Sequence, residues 1–173
     1  MAIRAEIEPH IEVHKYAGLH VAAAAFFALV LQTFLPRYFP RADLLELPLL
    51  VTLYFGLSRR NPSTGLLLGT AVGLGQDALS LPQPIGLYGI AKTLVGFGAS
   101  SIGGRFDVDH PLSRFVLGFL FFHLHHIAFA VTRRLLLAEP QDFFGGQLLA
   151  ASLVNAALAV ALFPLLDRLR RPS

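Results

Sequence analysis

The stretch AGLHVAAAAFFALVLQTFL, residues 17–35, decides the fold. It contains no Asp, Glu, Lys or Arg. As a helix rising 1.5 Å per residue it reaches about 28 Å, close to the roughly 30 Å of a bilayer's hydrocarbon. Pro36, Pro40 and Arg41 predict its end. The rest of the chain shares this character. Of its 173 residues, 54% are hydrophobic and 14% charged, and mean hydropathy is +0.60. A soluble domain carries about 25% charged residues, so this chain could not cover a water-facing surface. Lipid is its natural solvent.

Working outward, a polar lead-in covers residues 1–16, and five more apolar runs follow at 44–57, 64–81, 86–104, 112–137 and 143–166. The expectation is a single membrane domain over 1–173, all-α, with about six transmembrane helices. Arg59-Arg60-Asn61-Pro62 and Pro82-Gln83-Pro84 mark turns between them. The second run is short and holds Glu46 and Pro48, so it reads as tilted, kinked or partly re-entrant. In the lead-in, Ile3, Ile7 and Ile11 recur every four residues, which suits a stripe lying on the membrane surface. Pro9 interrupts it, which suits a frayed tail. The lead-in lacks the pattern of a cleaved signal peptide. Six crossings put Arg4, Lys15, Arg59, Arg60, Arg105, Arg114, Arg168, Arg170 and Arg171 on one side and Arg37, Arg41, Arg133 and Arg134 on the other. Nine against four predicts cytoplasmic termini, because positive residues are retained on that side. If the second run does not cross, the termini separate.

The charge of +3 does not point to nucleic acid, because the arginines sit at the ends of apolar runs rather than in a phosphate-binding stripe. With no cysteine, disulfides and thiolate metal sites are excluded. No G-x-S-x-G elbow, H-E-x-x-H helix or Walker loop is present, so the expectation is a non-enzyme without a cofactor.

Gly65, Gly69 and Gly73 recur at four-residue spacing, and Asp77 takes the next step. Gly89, Gly96, Ser100 and Gly103 answer on the following span. Lipid tails are as apolar as leucine, so membrane helices associate by close backbone approach, which small residues permit. The bland reading is packing within the protomer; the sharper one is a docking face for another membrane protein. Asp77 and Lys92 lie at depths that differ by only about 4–5 Å on consecutive spans. A lone charge in hydrocarbon costs at least about 2.5–3.5 kcal/mol, so an Asp77–Lys92 ion pair is expected, with Glu46 in the same polar cluster. That cluster reads as a register-fixing pair, a ligand or ion site, or a support for a partner-binding loop. His123, His125 and His126 fall mid-way along the fifth span. His123 and His126 share a face and could ligate a metal, but no further ligands accompany them. Polar packing or a proton path are the other readings. Ala22, Ala23, Ala24 and Ala25 would let a partner's single helix approach the first span.

Several segments together resemble the rod shape-determining MreD family. They are Asp43-Leu44-Leu45, Leu53-Tyr54-Phe55-Gly56-Leu57 before paired arginines, Gly69, Gly73-Leu74, Gln76-Asp77-Ala78-Leu79-Ser80, Pro84-Ile85-Gly86-Leu87 and Leu94-Val95-Gly96-Phe97. The likeness runs from about Arg41 to Arg105. Leu81 stands where the family usually has glycine, Glu46 and Pro48 interrupt a usually leucine-rich segment, and the histidine cluster is not part of the pattern. The resemblance implies a scaffold of the bacterial inner membrane. Its implied partners are a bitopic MreC-like protein and, indirectly, the MreB-like cytoskeleton and the RodA–transpeptidase synthase. The fold it implies is similar to the six-helix substrate-binding component of energy-coupling vitamin transporters. A small-molecule-binding transporter subunit is therefore the alternative.

Overall fold

The computed structural model describes residues 16–80, 84–139 and 145–170. The Ile3, Ile7 and Ile11 stripe, Pro82 and Gln83 of the predicted turn, and residues 143–144 of the predicted sixth span lie outside that set. The described residues form six α-helices and no strand. These are α1 (Gly18–Tyr38), α2 (Leu47–Arg59), α3 (Pro62–Leu79), α4 (Leu87–Ile102), α5 (Pro111–Leu137) and α6 (Gly146–Asp167), with a 3-10 turn, Pro40–Leu44, before α2.

Local chemistry sets the ends. The first helix passes through Pro36 instead of stopping at Leu35. Pro36 lies in the last turn; it cannot make its own bond back to Gln32 O, but Phe39 N–H still closes onto Leu35 O at 3.0 Å, so the helix runs on to Tyr38. The second helix begins later than residue 44. Leu44 belongs to the 3-10 turn and Glu46 is the N-cap. Pro48 therefore sits in the first helical turn, where an N–H has no intrahelical partner anyway, and it starts the helix rather than kinking it. Arg60 ends α2 with φ 53°. Asn61 then caps α3, its Oδ1 accepting from Thr64 N–H at 3.2 Å.

Consecutive helices run antiparallel, as their contacts require. Tyr16 meets Tyr54 while Gln32 meets Leu45. The start of α3 meets the end of α4, and Arg114 at the start of α5 meets Asp167 at the end of α6. The short α2 is the hub, packed against the other five helices, with every residue from Pro48 to Ser58 buried. Leu49, Leu50, Leu53 and Phe55 are wholly inaccessible. The periphery is apolar too. Phe26, Phe27, Leu31 and Phe34 on α1, Leu120 on α5 and Leu149 on α6 all face outward, a surface suited to lipid.

Three described helices, α1, α5 and α6, are long and apolar enough to cross a membrane. The chain is thus an all-α membrane protein. The other three do not meet the same measure. The 13 residues of α2 reach about 20 Å and the 16 of α4 about 24 Å, while α3 is diluted by its glycines, Gln76 and Asp77.

The α3–α4 pair forms the most extensive helix contact. A Cβ on Gly65 would strike Ser100 Oγ and Gly96 O; on Gly69, Lys92 O; on Gly73, Tyr88 O; on Gly96, Gly65 O. A Cβ on Gly89 would lie 2.9 Å from Leu74 Cδ2. The two backbones touch along the whole glycine row, and Thr70 and Thr93 hydroxyls join across it at 2.7 Å.

Candidate functional site

The α2 N-terminus enters the bundle beside α4, α5 and α6. Its first amide groups need acceptors from outside the helix. Two side chains supply them. Asn155 Oδ1 accepts from Glu46 N–H at 2.8 Å and Asn155 Nδ2 donates to Leu44 O at 2.7 Å. Gln32 Oε1 accepts from Leu47 N–H at 3.0 Å and Gln32 Nε2 donates to Leu45 O at 2.7 Å. Residues 44–47 are thereby fastened to both α1 and α6.

This anchoring aims the Glu46 carboxylate inward. Its Oε2 accepts from Lys92 Nζ at 3.3 Å and from Gln76 Nε2 at 3.4 Å. The Lys92 side chain is wholly buried, and that of Glu46 is 16% exposed. Lys92 Nζ also lies 3.2 Å from His125 Nε2. An ammonium can only donate, so His125 accepts. The same nitrogen sits 4.8 Å from the Tyr88 ring centre, a cation–π contact, and Tyr88 stacks on His125 at 6.0 Å. The cluster thus draws on α2, α3, α4 and α5. It gives a buried cation one carboxylate, one imidazole and one aromatic face.

Asp77 has a different task. Its carboxylate accepts from the backbone N–H groups of Gly86 at 2.8 Å, Tyr88 at 2.9 Å and Gly89 at 2.9 Å. It caps α4 from the end of α3, where a helix N-terminus favours negative charge. Gly86, at φ 116°, makes the turn possible. The expected Asp77–Lys92 ion pair does not form. The matched depth is real, but Asp77 is already satisfied by amides, and the partner of Lys92 comes from α2.

The three histidines separate. His125 joins the cluster. His123 Nδ1 donates to Phe119 O at 3.0 Å, and its ring lies 4.5 Å from that of Phe119. His126 lines a cavity of about 450 Å³ with Asp43, Glu46, Phe122, Gln147 and Ala151. Among the described residues no group of three His, Asp or Glu gathers to hold a metal. The alanines separate as well: Ala25 is buried, Ala23 and Ala24 are half-buried and Ala22 is exposed.

A second polar network ties the opposite end of the bundle. Asp167 Oδ1 accepts from Tyr54 at 2.7 Å and from Arg170 at 2.6 Å, while Oδ2 accepts from Arg114 at 2.6 Å. Tyr16 and Tyr54 hydroxyls meet at 2.6 Å, and Arg170 also reaches Asp109 at 2.8 Å. Burial works against the charge on Arg170, yet hydrogen bonds to Asp109, Tyr16 and Tyr54 together outweigh it and hold the guanidinium above its ordinary value. Sequence reading missed this network. Arg114 and Arg170 register there only as topology signals, and no local spacing links Tyr54 to a residue 113 positions away.

The fold and its clusters define an all-helical membrane protein with an ion-paired interior. In comparisons with protein-family models, curated proteins and solved structures, nothing matches the chain.

Proposed function

We propose that this chain is a non-enzymatic scaffold of the MreD type, serving the cell-elongation machinery in the bacterial inner membrane. One observation carries the reading. The segments between Arg41 and Arg105 that bear the resemblance converge on the α2–α3–α4 unit, whose interior is filled. Side chains of α2 with almost no exposure occupy the centre, and the charges of Lys92 and Glu46 satisfy each other. A small-molecule carrier needs an accessible pocket lined by convergent polar groups; a scaffold needs rigidity and outward faces. In this reading all six helices cross, α2 doing so inside a sheath of protein rather than against lipid, and both termini are cytoplasmic. Nothing in the role calls for a cofactor. The cavity of about 450 Å³ beside Glu46 favours a second reading, the small-molecule-binding subunit of a vitamin-type transporter.

The bitopic MreC-like partner would engage α1, the least buried of the long helices. Ala23, Phe27, Leu31 and Phe34 recur there at three- and four-residue steps, and the three large side chains among them face outward. Through that partner the chain would connect to the MreB-like cytoskeleton and the RodA–transpeptidase synthase. The test is co-purification from mild detergent. Wild type should retain the bitopic protein, and Ala23→Leu should reduce retention while the monomer's elution profile is unchanged. A chain that ignores the bitopic protein and carries a tightly bound vitamin-like molecule overturns the scaffold reading in favour of the second.

A further inference from the structure

A wedge of about 400 Å³ separates α1 from α3. Its walls are apolar: Ala22, Ala25, Phe26 and Leu29 on one side, Leu68 and Val72 on the other. One end is shut, because a Cβ on Gly75 would lie 3.0 Å from Leu29 Cδ1. The other end opens beside Gly18, around which there is free space. Arg59 lines that mouth. Among the described residues Arg59 has no ion pair, and Nε and Nη1 of the adjacent Arg60 are buried without an acceptor. No carboxylate lines the wedge.

We infer that the wedge holds one acyl chain of an anionic phospholipid from the cytoplasmic leaflet, with its phosphate on Arg59. Size selects the chain over a helix. A helix about 10 Å across fills about 120 Å³ per residue, so the wedge would admit less than one turn. Depth selects a single leaflet. From Gly18 to Leu29 the α1 axis rises about 16 Å, half of the roughly 30 Å hydrocarbon thickness. Charge selects the headgroup. A guanidinium binds phosphate oxygens through paired N–H donors, and the cytoplasmic leaflet is where anionic lipid concentrates. The inference rests on the orientation proposed above, with the start of α1 at the cytoplasmic face, and holds whether the chain is a scaffold or a transporter subunit.

The chain has no tryptophan, so a single introduced indole reports its own surroundings. Phe26→Trp places one at the wedge. Leu120→Trp places another on the outer face of α5, where Leu120 is 55% exposed. Each variant is reconstituted in vesicles of phosphatidylcholine and phosphatidylglycerol, with either lipid dibrominated to quench nearby indoles. Phe26→Trp should report about a two- to fivefold preference for phosphatidylglycerol, the range of a partly exposed ion pair. Leu120→Trp should report none. Adding Arg59→Gln should abolish the preference at Phe26→Trp, and Arg59→Lys should keep part of it. Equal preference at the two reporters, or a preference untouched by Arg59→Gln, overturns the inference. So does a Phe26→Trp reporter quenched by neither lipid while Leu120→Trp is quenched by both, since protein would then fill the wedge.

Discussion

Lys92 shows what one buried charge demands of its surroundings. Among the described residues its one ion-paired carboxylate is that of Glu46, at the start of α2. Removing one member of a buried pair leaves the other uncompensated, at a cost of about 3–5 kcal/mol, while removing both can be nearly neutral. Lys92→Met and Glu46→Gln should therefore each destabilise the protein strongly. The double variant should recover much of the loss, as measured by a double-mutant cycle on denaturant unfolding in detergent. Additive losses would show that the two residues act separately. The exchange Asp77→Lys with Lys92→Asp should rescue nothing, because Asp77 serves the amides of α4. At this scale the sequence was half legible. Composition and depth put Glu46, Asp77 and Lys92 in one neighbourhood, since a charge in hydrocarbon must find company. Depth along a helix says nothing of azimuth, however, so the choice of partner could not be read, nor could the arrival of His125 from the next helix.

At the scale of the element, the glycine row on α3 was the most readable feature, because only backbone contact explains small residues every four positions. Its consequence is sharp. Gly69→Ala pushes a methyl into the Lys92 carbonyl, and such overpacking typically costs about 1–3 kcal/mol. Gly18→Ala, with free space around it, should leave thermal stability unchanged or slightly raised. Equal tolerance of the two substitutions would contradict the close approach. The register has its own test. No native cysteine interferes, and Thr70 and Thr93 touch, so Thr70→Cys with Thr93→Cys should cross-link on mild oxidation, shifting mobility on a non-reducing gel. Helix ends were less legible. Pro36 and Pro48 both read as breakers, yet Pro48 lies in a first turn, where a helix tolerates proline best, and only two helical residues follow Pro36.

For the whole molecule, the nine-to-four distribution of Arg and Lys supports the proposed topology of cytoplasmic termini. A protease-sensitive tag at the C-terminus should stay protected in intact right-side-out cells and become cleavable once the membrane is opened. Cleavage in intact cells would overturn the cytoplasmic C-terminus and with it the proposed topology. Whole-chain hydropathy made the solvent legible. It could not show that the second run would become a sheltered hub, because short length and Glu46 suit a re-entrant segment equally well. That hub also sets a timetable for synthesis. The amide of Glu46 waits for Asn155, made 109 residues later. A ribosome adding about 5–20 residues per second takes about 5–20 s to cover that gap. Throughout that interval the polar end of α2 needs another host, such as interfacial water or the walls of the insertion machinery. A nascent chain halted before α6 should consequently present its second helix as a degradation signal, even though every residue of that helix is already in place.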